Sequence, residues 1–283
     1  EALAEAAGLV VRTYTQVNAS LLKRAPKLKV VGRAGVGLDN IDLKACKKRD
    51  VQVVYTPEAN TQAVVEYVWG LIFEAVRPRI VLEDYVPPPK FHEHRANHVG
   101  RQVDQLVLGI LGMGRIGRRV AEVARAFGMR VLYHDLLSRR QLGLSPEDMS
   151  EFVDAGTLFA ESDILTIHVD GRKENRGLID GEALQRMKRH VLLLNTSRGM
   201  VVDVEALAQW AKRAAKRGDP SLAILDVHDP EPPADDYPLY GLSHVKLLPH
   251  LASRTYTAMA NMSWVVRDVD RVLRSEPPQY PAT

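Results

Sequence analysis

Three apolar runs of this chain end in residues that can bind anions or move protons. VLLLNTSRGMVVD (191–203) runs into Arg198, LAILDVHDPEP (222–232) delivers Asp226 and Glu231, and VKLLPH (245–250) delivers His250. Arginine offers a planar fork that holds a carboxylate through two parallel hydrogen bonds. Histidine titrates near neutral pH and is the usual proton donor or acceptor. A carboxylate beside it fixes its orientation and favours the protonated ring. Next to a hydride carrier, such a set interconverts a 2-keto acid and a 2-hydroxy acid. Arg198 would hold the substrate carboxylate and carbonyl, His250 would protonate the carbonyl oxygen, and Glu231 would support His250. Singly, each has a plainer reading: an ion-paired strand end, a surface histidine after Pro249, a turn acid between prolines. The chemical reading rests on all three falling at strand ends of one sheet.

A hydride carrier has its own signal. LGILGMGRIGRRVAEVARAFGMRVLYHD (108–135) places Gly112, Gly114 and Gly117 as G-x-G-x-x-G. A strand pattern precedes it, a helix with Ile116, Val120, Val123, Ala124 and Phe127 on one face follows, and a second strand pattern closes on Asp135. In that setting the first glycine allows a tight turn, the second lets the backbone approach a pyrophosphate, and the third lets helix and strand pack closely. The helix start supplies N–H groups and a favourable dipole for phosphates. Asp135 would accept the adenosine ribose hydroxyls and repel a 2′-phosphate, which favours NAD, while Arg139 and Arg140 keep NADP open. Arg115 and Ile116 within the loop, and His168 and Thr196 at later strand ends, complete the candidate cofactor contacts.

The elements that must position these residues follow from periodicity. LVVR (9–12), LKVVGRA (28–34) and VQVVY (51–55) read as strands. Six more follow at 106–111, 130–135, 164–169, 191–195, 222–226 and 245–249, with helical patterns at 61–76, 115–127, 181–188, 204–216 and 256–273. Continuous apolar strands alternating with amphipathic helices predict a parallel sheet covered on both faces. The fold class expected is α/β, a Rossmann-type doubly wound sheet with a smaller domain. Residues 83–100 hold three consecutive prolines and read as a connection, not an element. AKRAAKR (211–217) reads as a solvated helix face.

Composition narrows the classes. The chain has 283 residues, 46% hydrophobic and 26% charged, with net charge +3. No apolar run approaches the roughly 20 residues of a membrane span. The charge is too small to argue for nucleic acid. Cys46 is the single cysteine, so no internal disulfide is expected and a reducing, cytoplasmic setting fits. EALAEAAGLVVR lacks the basic start and long apolar core of a signal peptide. His92, His94 and His98 lie in the proline-flanked stretch, and the chemistry above needs no metal.

These stretches, together with VRTYTQVNASLLKRAPKLKVVGRAGVGLDNIDLKA (11–45), resemble the D-isomer-specific 2-hydroxyacid dehydrogenases, and within them the phosphoglycerate dehydrogenase subgroup. The resemblance implies catalytic roles for Arg198, Glu231 and His250, and a nicotinamide carboxamide contact at Asp226. It implies a substrate-carboxylate loop at Arg33, Ala34 and Gly35, and phosphate contacts at Arg12, Arg33 and Arg95. It also implies a discontinuous, flavodoxin-like substrate domain (1–57 and 252–283), a cofactor domain (58–251), a cleft that closes on the substrate, and a homodimer. Measured against the family the chain starts late, as a piece of a longer protein would. His228, Asp170, Ala252 and Arg254 stand where the family more often has phenylalanine, proline and glycine-rich sequence. The implied substrate pair is 3-phosphoglycerate and 3-phosphohydroxypyruvate, of serine biosynthesis. The alternatives are a glyoxylate or hydroxypyruvate reductase and an NAD-sensing corepressor-like protein.

Overall fold

Short runs of valine and leucine bounded by capped helices set the first sheet. In the computed structural model, which describes residues 2–77, 79–145 and 147–282, the chain opens with α1 (Ala2–Glu5), β1 (Gly8–Val11), α2 (Ala19–Arg24), β2 (Val30–Arg33), α3 (Leu43–Lys48) and β3 (Gln52–Tyr55). The strands are parallel in the order β1-β2-β3. Asn18 and Asp42 cap α2 and α3 by accepting the Leu21 and Ala45 N–H groups, each satisfying a donor that lacks an intrahelical partner. Val11, Leu22, Val31, Cys46 and Val53 fill the core beneath.

The larger part runs through α4 (Thr61–Val76), α5 (Pro88–Asn97), β4 (Val107–Leu111), α6 (Arg115–Ala126), β5 (Arg130–His134), α7 (Arg139–Leu142), β6 (Glu151–Phe152), α8 (Ala155–Glu161), β7 (Ile164–Ile167), α9 (Gly181–Arg186), β8 (Leu192–Asn195), α10 (Val204–Arg217), β9 (Leu222–Leu225) and β10 (Val245–Leu247). All pairings in its sheet are parallel, in the order β10-β9-β8-β7-β4-β5-β6. Counted from β4 this is the 3-2-1-4-5-6 order of dinucleotide-binding folds with one strand added. Alternate residues feed two cores. Leu108, Ile110, Leu192 and Leu194 pack under α4 and α6, while Leu165, Leu193, Ala223 and Leu225 pack under α8, α9 and α10. Such strands are apolar throughout because both faces are covered.

The chain then forms α11 (Tyr256–Ser263) and α12 (Val265–Leu273). Val265 and Val269 of α12 pack on Val30 and Val54, over Gly32, where an added Cβ would lie 2.5 Å from Val269. Two compact units result: Glu1–Ala63 with Ser253–Thr283, and Val64–Ala252. The first boundary thus falls six residues beyond the 57/58 position placed from sequence, inside α4.

Three sequence readings need correction. Residues 83–100 hold an element, α5, with Pro87 as N-cap and prolines in its first turn; the N–H groups they lack have no helical partner there in any case. The sheet has seven strands, because β6 is two residues long and carries no readable period. The helix over 256–273 is divided at Trp264, which ends α11 and caps α12.

Candidate active site

A parallel sheet sends all its strand ends to one edge, and this answers why a buried strand finishes in an arginine. β8 ends at Asn195, three residues before Arg198. β9 ends at Leu225, just before Asp226, and β10 ends three residues before His250. The ends of β8, β9 and β10 are neighbours in the sheet. Glu231 Oε1 lies 2.7 Å from His250 Nδ1. An ionised carboxylate only accepts, so Nδ1 carries the proton and Nε2 is left for a ligand. Both side chains keep some exposure, 28% for Glu231 and 36% for His250.

Buried polar groups hold this arrangement. Asp226 is fully buried and accepts the Leu251 and Ala252 N–H groups at 2.8 and 2.9 Å. It therefore clamps the turn in which His250 adopts φ +57°. Burial raises its carboxyl pKa above the usual range, against the pull of those two hydrogen bonds. The resemblance put Asp226 at a nicotinamide carboxamide. Each of its oxygens accepts one bond from the His250 turn and keeps a further lone pair. Tyr67 of α4, which sequence did not single out, lies near Asp226. Burial, then the carboxylate, pushes Tyr67 up to about 12.

Asn195 does the same for the arginine. Its Oδ1 accepts Ser197 N and Oγ at 3.0 and 2.9 Å, and its Nδ2 donates to Arg198 O at 2.9 Å. The Arg198 guanidinium donates to Ser197 O at 2.7 Å. Gly199 then presses on the next loop: an added Cβ would lie 2.0 Å from the His228 carbonyl carbon. His228 is buried and pairs Nε2 with Leu248 O at 2.8 Å. It ties the Glu231 loop to the strand that carries His250.

The glycine loop passes a fit test for a dinucleotide. Gly112 has φ +97°, and a Cβ there would lie 2.8–2.9 Å from the His168–Val169 peptide. A Cβ on Gly117 would lie 2.2 Å from Gly112 O, whereas Gly114 has nothing within 4 Å. Backbone therefore walls the loop on two sides and leaves space at the second glycine. Gly114 caps α6 without a side-chain bond, so no capping side chain stands over the helix start, where N–H groups favour an anion. Thr196 Oγ1 is buried without a partner, an atom a ligand amide would satisfy. Asp135 follows β5 and accepts Met113 N at 2.7 Å and Leu137 N at 2.9 Å, bracing the loop. His168 pairs with Thr166 Oγ1 at 3.0 Å. Burial lowers its pKa to about 3, which keeps the ring neutral. Arg139 donates to the carbonyls of Ser145, Asp148 and Ser150, so its guanidinium serves the local loop, while Arg140 is exposed.

The remaining candidates are spread more widely. Arg12 is exposed after β1. Arg33 is 9% exposed and donates to Ala34 O at 2.6 Å, and its Nη1 lies 2.5 Å from where a Cβ on Gly35 would be. Arg95 is exposed on α5. Asp170 pairs with Arg172 at 2.5 and 2.7 Å; that pairing first, and Arg198 last, hold its carboxyl below the usual range. Among the described residues no group of three His, Cys, Asp or Glu is placed to hold a metal, and no helix is long and apolar enough to cross a membrane.

Residues 69–252 match the model of the family described as D-isomer specific 2-hydroxyacid dehydrogenase, NAD binding domain. A D-3-phosphoglycerate dehydrogenase of Archaeoglobus fulgidus is 36% identical over 92% of the chain and 48% of its own length. A glyoxylate reductase of Aeropyrum pernix is 35% identical over 93% of the chain and 78% of its own length. The chain therefore spans about half of the first relative and three quarters of the second. A solved D-lactate dehydrogenase of Aquifex aeolicus, complexed with NAD and lactic acid, is 30% identical over 97% of the chain and 85% of its own, with TM-score 0.80. With a matching NAD-binding model over more than half its length, the chain belongs to the D-isomer-specific 2-hydroxyacid dehydrogenase family.

Proposed function

We propose that the protein is an NAD-dependent oxidoreductase that interconverts a D-2-hydroxy acid and its 2-keto acid. The observation that carries this reading is the 2.7 Å Glu231–His250 pair at the strand edge that also delivers Arg198. A bound nicotinamide supplies or takes up the hydride. Arg198 holds the substrate carboxylate by its fork. His250 Nε2 gives a proton to the carbonyl oxygen in reduction and takes it from the hydroxyl in oxidation. Glu231 holds the ring in the tautomer this requires. Gly112, Gly114, Arg115, Ile116, Gly117, Asp135, His168, Thr196 and Asp226 bind the cofactor.

For the substrate we favour 3-phosphoglycerate and 3-phosphohydroxypyruvate, with Arg12, Arg33 and Arg95 receiving the phosphate and residues 33–35 the carboxylate. Relatives named for phosphoglycerate and for glyoxylate match about equally well, and the three arginines are what favour the phosphorylated acid. One observation favours a smaller, unphosphorylated acid: Arg33 already spends a donor on Ala34 O. Exposed Ile80, Val81, Tyr85 and Phe91 around α5 support a homodimer built on that segment, and the single buried cysteine fits the cytoplasm.

The test is NADH and NADPH oxidation with 3-phosphohydroxypyruvate, hydroxypyruvate and glyoxylate. The favoured reading expects NADH and the phosphorylated acid, and a rise in its KM of roughly tenfold, about 1.4 kcal/mol, in Arg12→Ala and Arg33→Ala. Equal KM in both variants would remove the phosphate assignment. Tight NADH binding without turnover on any acid would favour a sensor.

A further inference from the structure

We propose that a cavity at the amino-terminal edge of the seven-stranded sheet binds a small organic dianion. The cavity has a volume of about 270 Å³ and is lined by the segments before β8 and β9 and by α10. It lies at the end of β8 opposite Arg198, with the four strand residues, roughly 13 Å, between them. It is therefore a second site, and it is independent of the assignments made for the strand-end chemistry.

The lining states the ligand's chemistry. Leu184, Met187 and Trp210 contribute apolar surface and are themselves buried. Lys188, Arg189, Arg213 and Arg217 contribute four cationic groups. Two of them have internal partners: Lys188 Nζ meets Asp163 at 3.1 Å, and Arg217 meets the buried Asp219 at 2.7 Å. Arg189 and Arg213 have no ion pair among the described residues. Arg213 and Arg217 stand four apart on α10, hence on one face. Arg189 and Arg213 are exposed, and Asp219 adds one carboxylate that Arg217 already holds; a doubly charged anion seated in the cavity would meet the two remaining guanidinium groups. Arginine forks suit carboxylate and phosphate oxygens equally. The apolar wall asks for a carbon body, and the volume lies just below the usual range of about 300–1,000 Å³ for ligand pockets. That admits a short dicarboxylate or phosphomonoester and leaves no room for a dinucleotide.

Isothermal titration of the full chain with succinate, glycerol 3-phosphate and sodium chloride at matched ionic strength tests this. Wild type and Arg198→Ala should bind at least one dianion with the same affinity, and the Arg189→Ala/Arg213→Ala double variant should bind it at least tenfold more weakly with unchanged NADH oxidation. Binding of succinate alone or of the phosphate alone supports the site and names the class that fills it. No heat with either dianion, heat matched by chloride, or heat lost in Arg198→Ala but kept in the double variant would overturn it.

Discussion

The loop after β4 is shaped by side chains it lacks, whereas the loops after β8, β9 and β10 are shaped by polar side chains they bury. At Gly112 and Gly117 the neighbouring backbone stands within 2.2–2.9 Å of an absent Cβ. After β8 and β9, Asn195, Asp226 and His228 are sunk below the surface, and each ties down backbone groups of the loops that carry Arg198, Glu231 and His250. The first design gives an opening at one residue with rigid walls. The second gives placement of charged groups. A cofactor bound through phosphates needs access for backbone N–H groups, while a proton donor needs a fixed ring and partner.

The two designs should fail separately. His250→Ala should lower kcat by roughly 10²–10⁴-fold while leaving the NADH dissociation constant alone; steady-state kinetics with fluorescence titration reads both, and near-normal turnover would remove His250 from the chemistry. Gly117→Ala and Gly114→Ala then split the loop. The former must push on Gly112 O and should cost about 1–3 kcal/mol in urea unfolding. The latter meets open space and should stay within about 0.5 kcal/mol of wild type while weakening NADH binding. A Gly114→Ala protein with normal NADH affinity would break the fit argued for the pyrophosphate.

His168 is the side chain that interrupts the backbone-built region. Its folded-state pKa of about 3 lies below the ordinary value, so the unfolded chain binds a proton that the folded one does not. The stability it confers is present above about pH 6.5 and is lost as the pH falls toward 3. Between pH 7 and 5 this amounts to about 2 kcal/mol. His168→Asn should flatten that part of the unfolding profile, and parallel profiles would show that the ring protonates freely. The smallest effect expected is His228→Phe, which removes the bond to Leu248 O. A loss of about 0.5–1.5 kcal/mol is expected, with kcat falling more than NADH affinity; equal losses in both would make His228 a packing residue only.

The same contrast explains what could be read in advance. Glycine spacing between a strand and a helix is local, so the cofactor loop was visible within 28 residues of sequence. Strand-end Arg198, Glu231 and His250 stood out because each follows an apolar run. Asn195 and Asp226 gave no comparable signal for the bonds they make: Asp226 and its partners Leu251 and Ala252 are 25 and 26 residues apart. A polar residue's work depends on what the fold brings beside it. α5 stayed hidden for a different reason, since prolines mark a break everywhere except in a helix's first turn.

His250 holds a left-handed backbone conformation, φ +57°, that a side chain with a Cβ adopts at a cost of about 1–2 kcal/mol. Glycine would relieve that cost, and the clamp from Asp226 would survive because it grips the N–H groups of the next two residues. A library of this chain sorted only for resistance to heat should therefore enrich His250→Gly, and the hardiest clones recovered would be the ones unable to turn over.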